Sequence, residues 1–283
     1  MTLAGAQLPT PVGVAPTGFH HLACPDGELA SARGAAGAGA LYVLSTRSSR
    51  RIEDVAAVLA ENRGHWWFQV YVLRDRGLTE GLVRRAAAAG AQALVLTGDA
   101  PVLGRKRRDR GSDLIADADF LVNLGHLDDQ AGAEQAPDAG LCDIGWLGEI
   151  SGGLPVIVKG VLRGDDAAAC AAAGAAGVVV SNHGGRQLDA AVPTASALPE
   201  VAAALAAYPG CEVLADGGLR SGLDVLRALA LGARAVLVGR PVLWALAAGG
   251  ADGVRDLLNS LTADLVHEMA LAGSATLADA AGL

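Results

Sequence analysis

The chain has 283 residues, of which 52% are hydrophobic, and a net charge of −8. The negative charge disfavours nucleic-acid binding, because neutralising phosphates needs a basic surface. No stretch reaches the roughly 20 apolar residues that a membrane-spanning helix needs, so we expect neither a nucleic-acid partner nor membrane insertion. Four cysteines, Cys24, Cys142, Cys170 and Cys211, have no paired spacing, which argues against a metal site or a disulfide framework.

The amino terminus, MTLAGAQ, has neither a basic start nor a long apolar core, so it is not typical of a secretory signal and we expect a cytoplasmic protein. Beyond it, eight aliphatic segments without polar alternation predict strands that are covered on both faces. They lie at 12–16, 41–46, 67–72, 93–99, 155–160, 177–182, 212–216 and 235–239.

Helix-length segments separate these strands. In four places, 33–46, 84–99, 166–182 and 225–240, an alanine-rich stretch leads through a small-residue turn into the aliphatic segment. Eight parallel strands that alternate with helices suit a closed (β/α)8 TIM barrel, whereas a doubly wound open sheet usually has fewer strands and a glycine fingerprint. We therefore predict an α/β fold in which residues 1–283 form a single barrel domain.

The segment from Arg107 to about Gly140 interrupts this rhythm. It is polar, irregular and rich in Asp and Gly, and it predicts a long loop after the fourth strand. Loops of this length are usually functional lids or partly disordered, and the sequence leaves both open. The basic run from Arg105 to Arg110 is interpreted as a solvated loop, with attraction of an anionic substrate or partner as the alternative.

Each predicted strand ends in polar residues. In a (β/α)8 barrel the active site lies at the carboxyl ends of the strands, so these ends meet at one mouth. They are Ala15-Pro16-Thr17, Ser45-Thr46, Gln69-Val70-Tyr71, Thr97-Gly98-Asp99, Lys159-Gly160, Ser181-Asn182-His183, Asp216-Gly217-Gly218 and Gly239-Arg240. Each alone could be a cap or turn, but together they could bind a large polar cofactor and a substrate.

The last two strand ends predict a phosphate site. Glycines there permit close backbone approach and arginines add charge, and the loops after these strands are the usual phosphate site of such barrels. Ordinary tight turns are the alternative. No Walker-type lysine motif and no dinucleotide glycine fingerprint occurs, which argues against a nucleoside triphosphate or NAD.

Lys159 and the segment around His183 carry the predicted chemistry. Lys159 ends an otherwise apolar strand, where an unpaired charge would be costly, so an anion should lie opposite it. His183 and Arg186 could present a base and a carboxylate clamp to one small molecule. A lone histidine in a loop is more often structural, but this context favours the functional reading.

The segment SNHGGRQLD at 181–189 resembles the signature of the FMN-dependent 2-hydroxy-acid oxidase and dehydrogenase family, typified by glycolate oxidase, lactate oxidase and mandelate dehydrogenase. The likeness extends from about Pro11 to Leu277, through LTGDAPVLGR at 96–105, VIVKGV at 156–161 and ADGGLRSGLDVLRALALGA at 215–233. It implies FMN as the cofactor and oxidation of a small 2-hydroxy acid to the 2-oxo acid. Oxygen or another carrier would then accept the electrons, and the protein would be a homo-oligomer.

The resemblance also implies a role for each strand end. Gly218, Arg220, Gly239 and Arg240 would hold the FMN phosphate, Asp216 would lie near the ribityl chain, Ser45, Gln69, Thr97 and Lys159 would face the flavin ring, and Pro16, Thr17, Ser181, Gly217 and Leu219 would complete the cofactor site. In the implied chemistry His183 is the base and Asp99 stabilises its imidazolium. Tyr71 hydrogen-bonds the substrate oxygen, Arg186 pairs with the substrate carboxylate, and Lys159 stabilises the reduced flavin.

The chain departs from the family pattern in three places. Family members normally carry a further segment ahead of the first strand, with a tyrosine that helps bind the carboxylate, and no tyrosine precedes Pro11. The second basic position of the family's Leu-Gly-Arg-Arg stretch is Lys106, a substrate-binding candidate that keeps the charge but loses bidentate geometry. A position that is often aromatic is Arg47, which either compensates or points to solvent.

Two alternatives stay open on this basis. One is a truncated FMN-binding barrel that has lost or altered its activity. The other is a related FMN barrel with a different substrate, such as an isoprenoid isomerase or a peptide-modifying oxidase. The His-Gly-Gly-Arg sequence argues against the isomerase, for which a carboxylate clamp has no role.

Overall fold

Eight parallel strands close into a barrel in the computed structural model, which describes residues 1–102, 104, 122–124, 130–281 and 283. Two short strands, β1 (Thr2–Leu3) and β2 (Ala6–Gln7), form an antiparallel hairpin ahead of the barrel. The barrel strands are β3 (Val12–Val14), β4 (Tyr42–Leu44), β5 (Trp66–Val70), β6 (Leu94–Thr97), β7 (Val156–Val161), β8 (Gly177–Val180), β9 (Glu212–Asp216) and β10 (Ala235–Val238).

The strands follow one another around the barrel in chain order, and β10 closes it by pairing with β3. The register pairs Val95 of β6 with Ile157 of β7 and Val179 of β8 with Leu214 of β9. The predicted (β/α)8 barrel is confirmed, and the open doubly wound sheet is wrong. A strand overlaps each of the eight predicted segments, although β5 begins one residue earlier, at Trp66, and β7 ends one residue later, at Val161.

Helices surround the strands. They are α1 (Glu28–Gly37), α2 (Ile52–Glu61), α3 (Arg76–Ala88), α4 (Cys142–Ile150), α5 (Gly164–Ala172), α6 (Thr194–Leu205), α7 (Gly222–Ala230), α8 (Arg240–Leu271) and α9 (Leu277–Ala280). Non-helical backbone at Gly249 and Gly250 interrupts α8. Across the described ranges, no helix combines the length and the apolar character needed to cross a bilayer.

The helices cover the outward faces of the strands. In α2 the buried residues include Ile52, Val55 and Leu59, whose spacing puts them on one side of the helix. These side chains belong to a continuous layer that also contains outward strand residues such as Leu44 and Val158. Burying each large aliphatic side chain contributes about 1.5–3 kcal/mol, so this layer stabilises the barrel from outside.

A second apolar cluster fills the barrel interior, because alternate strand residues point inward. Its members in the barrel strands or directly beside them are Ala15, Leu41, Val43, Trp67, Ala93, Val95, Ile157, Val179, Leu214, Ala235 and Leu237, and Leu3 and Leu8 of the amino-terminal segment join them. Val43, Val95 and Ile157 are each followed, two residues later, by a polar residue that points the same way. These polar residues are Ser45, Thr97 and Lys159. The interior therefore changes from apolar to polar along the strands.

Only parts of the predicted long loop after β6 lie among the described residues. Within them, Asn123 accepts a hydrogen bond from the backbone nitrogen of Ile52 at 3.0 Å, and Gln135 forms an isolated antiparallel bridge with Leu73. The basic run and the candidate Lys106 lie outside the described residues.

Candidate active site

A cavity of about 350 Å³ opens at the carboxyl ends of the barrel strands. Predicted site residues that line it are Pro16, Thr17, Ser45, Tyr71, Lys159, His183, Arg186, Asp216, Gly217, Gly218, Leu219, Arg220, Gly239 and Arg240. The remaining described candidates, Gln69, Thr97, Asp99 and Ser181, hydrogen-bond to lining residues or to one another. Positions far apart in the sequence thus meet at one mouth, as the polar strand ends predict.

His183 faces a carboxylate partner. Its Nδ1 lies 2.9 Å from Oδ1 of Asp99, and the two side chains are 24% and 15% exposed. The backbone of His183 has φ 56°, in the left-handed region that a non-glycine residue seldom adopts. Its backbone nitrogen donates to Oγ of Ser181 at 3.0 Å. Strained backbone that the surroundings hold in place is typical of active sites.

Asp99 is held in place by its neighbours. Nε2 of Gln187 donates to the backbone oxygen of Asp99 at 3.0 Å. Gly160, beside a register shift in β7, has φ 106°, and a Cβ atom there would lie 2.5 Å from Cβ of Asp99. Only a residue without a side chain permits this approach, so Gly160 lets Asp99 reach its position against His183.

Lys159 is buried with two partners. Its Nζ lies 3.2 Å from Oδ2 of Asp216 and donates to Oγ of Ser181 at 3.0 Å. Burial alone would lower the pKa of the ammonium, but Asp216, followed by Asp99, outweighs it, and the pKa of Lys159 lies above its ordinary value. The lysine therefore keeps its positive charge beneath the cavity.

A hydrogen-bonded layer of hydroxyl and amide groups lies on the β4 to β6 side. Gln69 donates through Nε2 to Oγ1 of Thr97 at 2.9 Å, and its Oε1 accepts from Oγ of Ser45 at 3.2 Å and from the backbone nitrogen of Thr46 at 3.1 Å. These bonds fix which end of the amide faces each neighbour, so the layer is ordered before any ligand binds.

The opposite side, after β9 and β10, is rich in glycine and arginine. Gly217 and Gly218 have φ 94° and 87°, and no atom of the described residues lies within 4 Å of the place where a Cβ atom of Gly218 would be. The guanidinium of Arg220 lies 5.2 Å from the ring centre of Trp244, a cation–π distance. Nη2 of Arg240 donates to the backbone oxygen of Gly184 at 3.3 Å. This wall suits an anionic group.

A further wall of the cavity contains Arg47, Tyr71 and Gln135. Arg47, for which solvent exposure was one of two expectations, is partly buried and lines the cavity. Burial raises the pKa of the Tyr71 phenol above its ordinary value, although the positive charges of Lys159, Arg47 and Arg186 act in the opposite direction. Gln135 lines the same cavity. No sequence signal marked it, because it lies in a loop without periodicity.

Comparison with known sequences decides the family. The profile described as FMN-dependent dehydrogenase matches residues 1–282. The chain belongs to that family. Membership in the FMN-dependent dehydrogenases confirms the expectations of FMN as cofactor and of an oxidoreductase, and at the level of the family it supports oxidation of 2-hydroxy acids.

Several relatives of this FMN-dependent dehydrogenase are similar over nearly its whole length. L-lactate oxidase from Nostoc sp. is 45% identical over 294 residues, covering 98% of this chain and 80% of the relative. 4-Hydroxymandelate oxidase from Amycolatopsis orientalis is 45% identical over 287 residues, covering 95% and 77%. A solved structure of mandelate oxidase with (S)-2-phenylpropionate is 45% identical with a TM-score of 0.86, covering 100% of this chain and 80% of that one.

The residues of this FMN-dependent dehydrogenase fit FMN. The open backbone at Gly218 leaves room for a phosphate between arginine side chains. Oδ1 of Asp216 is buried and has no hydrogen-bond partner among the described residues, so it can accept a bond from a ligand hydroxyl. Lys159 keeps a positive charge fixed at the cavity, which suits a cofactor that becomes anionic on reduction. A mandelate oxidase variant solved with an FMN adduct has a TM-score of 0.85 to this chain.

Proposed function

We propose that the chain oxidises a small 2-hydroxy acid to the corresponding 2-oxo acid, with His183 as the catalytic base. The observation that carries this proposal is the 2.9 Å contact between His183 and Asp99 at the edge of a cavity that Lys159, Tyr71 and Arg186 also line. The named activities of the relatives, oxidation of L-lactate and of 4-hydroxymandelate, support the same substrate class.

Binding and orientation are the first task of these side chains. Arg186 pairs with the substrate carboxylate, for which a guanidinium fork is suited. Tyr71 stays protonated at neutral pH because burial raises its pKa, so its hydroxyl can donate a hydrogen bond to a substrate oxygen. Together they direct the 2-hydroxyl group toward His183.

Proton removal is the task of His183. When Nδ1 donates to Asp99, Nε2 is left as an acceptor for the hydroxyl proton of the substrate. The carboxylate of Asp99 then stabilises the imidazolium, as an aspartate beside a catalytic histidine does. Bound FMN supplies the acceptor for the α-hydrogen and its electron pair. Loss of both hydrogens turns the alcohol carbon into the carbonyl of the 2-oxo acid.

Lys159 contributes electrostatically. Because Asp216 and Ser181 hold the ammonium and Asp216 keeps it charged, the positive charge is in place before reaction and needs no reorganisation. Such a charge would stabilise the cofactor in its reduced state.

Anaerobic mixing of the FMN-loaded protein with a panel of 2-hydroxy acids tests the proposal. We expect glycolate, lactate or mandelate to bleach the flavin absorption. Bleaching by none of a broad panel would contradict the proposal and favour an FMN-binding protein without turnover. Oxygen as the electron acceptor, a homo-oligomeric state and a cytoplasmic location stay predictions.

A further inference from the structure

Arg47 and Arg186 reach the cavity from opposite sides of the barrel. Arg47 follows β4 and Arg186 follows β8, and these strands are four places apart in the closed order of eight. Both side chains line the same cavity. A molecule that fills the space between them therefore meets a guanidinium at each end.

The position of Arg47 is fixed by its backbone. Its nitrogen donates to Oγ of Ser45 at 3.1 Å, and its carbonyl oxygen accepts from the nitrogen of Phe19 at 3.2 Å. Gly18 packs so closely that a Cβ atom there would lie 2.7 Å from this oxygen. These contacts hold the start of the side chain at the cavity wall.

The guanidinium of Arg47 has little to balance its charge. Its hydrogen bond goes from Nη2 to the backbone oxygen of Ala133 at 3.4 Å, and within the described part of the chain no carboxylate lies within ion-pair distance of it. Burial lowers its pKa, yet an arginine remains charged at neutral pH. A partly buried charge without a counter-ion is costly, so an anion opposite Arg47 would be stabilising.

Gln135 adds a second donor at the same wall. Its side chain is 7% exposed, and its Nε2 is buried without a hydrogen-bond partner among the described residues. The segment is tied to the end of β5, since the nitrogen of Ala136 donates to the backbone oxygen of Val72 at 2.8 Å. Ala133, the partner of Arg47, lies two residues before Gln135. An arginine and a free amide donor form a suitable site for a carboxylate.

The other charges at the mouth already have partners under the proposed function. Lys159 pairs with Asp216, Arg220 and Arg240 suit the FMN phosphate, and Arg186 takes the substrate carboxylate. Among the cations that line this cavity in the described part of the chain, Arg47 is left without such a partner, and an uncharged substrate tail would leave its charge unbalanced.

We propose that Arg47 and Gln135 bind a second acidic group, so that the preferred substrate is a 2-hydroxy acid with a second carboxylate at its far end. This inference rests on the proposed function, because it takes Arg186 as the partner of the first carboxylate. In the competing arrangement, Arg47 and Arg186 bind the same carboxylate. Removing Arg47 would then impair acids with one carboxylate as much as diacids.

Matched pairs of substrates test the inference on the FMN-loaded protein. 2-Hydroxysuccinate is compared with 2-hydroxybutanoate, and 2-hydroxyglutarate with 2-hydroxypentanoate. We expect kcat/KM to be about 10- to 100-fold higher for the diacids, the range that a charge-assisted hydrogen bond provides. Arg47→Met should remove most of this preference, because it should lower kcat/KM for the diacids much more than for the monoacids. Gln135→Met should reduce it less, since it removes a neutral donor.

Calorimetric titration gives a readout that does not depend on turnover. Glutarate and pentanoate lack the 2-hydroxyl group, so neither can be oxidised, and we expect glutarate to bind about tenfold more tightly in the wild type but not in Arg47→Met. Arg51→Met is the matched control, because Arg51 is exposed and pairs with Glu53 at 3.6 Å outside the cavity.

The outcomes separate the two proposals. Flavin bleaching by monoacids with no preference for diacids overturns the second carboxylate site and leaves the proposed function intact. An equal loss for both acid classes in Arg47→Met also overturns it, in favour of a shared carboxylate clamp. If no hydroxy acid bleaches the flavin, the proposed function fails, and tighter binding of glutarate that depends on Arg47 still supports a diacid site.

Discussion

The two ends of the barrel use the same strands for different purposes. At the amino-terminal end, Leu3 and Leu8 pack on inward residues such as Trp67 and Ile157. At the carboxyl-terminal end, the next inward positions carry groups such as Lys159, which is fixed by hydrogen bonds. Alternate residues of a strand point into the barrel along its whole length. Apolar inward residues therefore stabilise the amino-terminal end, and polar inward residues form the site at the carboxyl-terminal end.

This difference predicts opposite responses to substitution. Polar groups at the mouth are ordered for reaction, so removing one should change turnover more than unfolding. Apolar groups at the amino-terminal end, called the closed end below, lie away from the cavity. Truncating one should therefore lower the free energy of unfolding and leave turnover intact.

The largest effect is expected for His183→Gln at the mouth. General base catalysis contributes about 10²- to 10⁴-fold, so we expect the anaerobic rate of flavin bleaching to fall about a thousandfold, equivalent to about 4 kcal/mol. FMN affinity and the urea midpoint should stay close to wild type. A loss of less than tenfold would show that His183 is not the base.

The counterpart at the closed end is Leu8→Ala. Leu8 is 3% exposed within the inner cluster, and truncation of a buried leucine costs about 2–5 kcal/mol. We expect the free energy of unfolding from urea titration to fall by about 3 kcal/mol and kcat at 25 °C to be unchanged. Leu271, which is 72% exposed, provides the control, because Leu271→Ala should change stability by less than about 0.5 kcal/mol. A large fall in kcat for Leu8→Ala would contradict the division between the ends.

Gly160→Ala tests whether packing at the mouth positions Asp99. The added methyl group would lie 2.5 Å from Cβ of Asp99, so the carboxylate must move away from His183. We expect a fall in kcat of about 30-fold, or about 2 kcal/mol, and a shifted pH profile. Gly174→Ala is the matched control, because Gly174 has φ 94° but its Cβ position has no neighbour within 4 Å in the part of the chain that the structure describes. Both variants carry the same backbone strain, so an equal loss of activity would rule out positioning.

The sequence predicts the barrel and most of the mouth for one physical reason. Continuous aliphatic segments indicate covered strands, and parallel strands bring their carboxyl ends together, so Lys159 and His183 could be assigned to one site. The hairpin of β1 and β2 escaped prediction, since strands of two residues carry no periodicity. Gln135 escaped because a bridge to Leu73, distant in sequence, determines its place. The direction of Arg47 depends on packing against Gly18, which a local pattern does not encode.

The next largest effect is expected on the pH dependence of stability, from a buried histidine behind the mouth. His20 hydrogen-bonds to Oγ1 of Thr17 at 2.6 Å and to Oγ of Ser31 at 2.7 Å, and burial lowers its pKa below the ordinary 6.5. The unfolded chain therefore binds a proton more readily than the folded chain once the pH falls below about 6.5. Stability should decrease with falling pH, by at most about 1.4 kcal/mol per pH unit from this group.

Urea titrations at pH 7 and pH 5.5 measure that contribution. We expect His20→Gln to lose less stability than the wild type between these two values. His267→Gln is the control for removal of an exposed histidine. Equal slopes for all three proteins would mean that His20 is protonated in the folded state as easily as in the unfolded chain.

The smallest effect is expected on the outer helical layer, which belongs to neither end. Nε and Nη2 of Arg85 donate to Glu53 at 2.7 and 2.9 Å, and these bonds hold the pKa of Glu53 at about 2. Because Glu53 is 40% exposed, solvent screens the pair, and Glu53→Gln should cost only about 0.5 kcal/mol at pH 7. Because the pKa of Glu53 is lower in the folded chain, the pair contributes its full stability above pH 4.5. That stability should be lost as the pH falls toward 2.

Arg85→Met should lower the free energy of unfolding more than Glu53→Gln does. Arg85 also donates to the backbone oxygen of Asn123 at 3.1 Å and to its Oδ1 at 3.2 Å, and the same Oδ1 accepts from the first residue of α2. Since Asn123 is buried, these bonds are screened less than the pair with Glu53. In high salt the cost of Glu53→Gln should shrink while most of the cost of Arg85→Met persists. Equal costs that disappear together in salt would show that the link to Asn123 contributes nothing to stability.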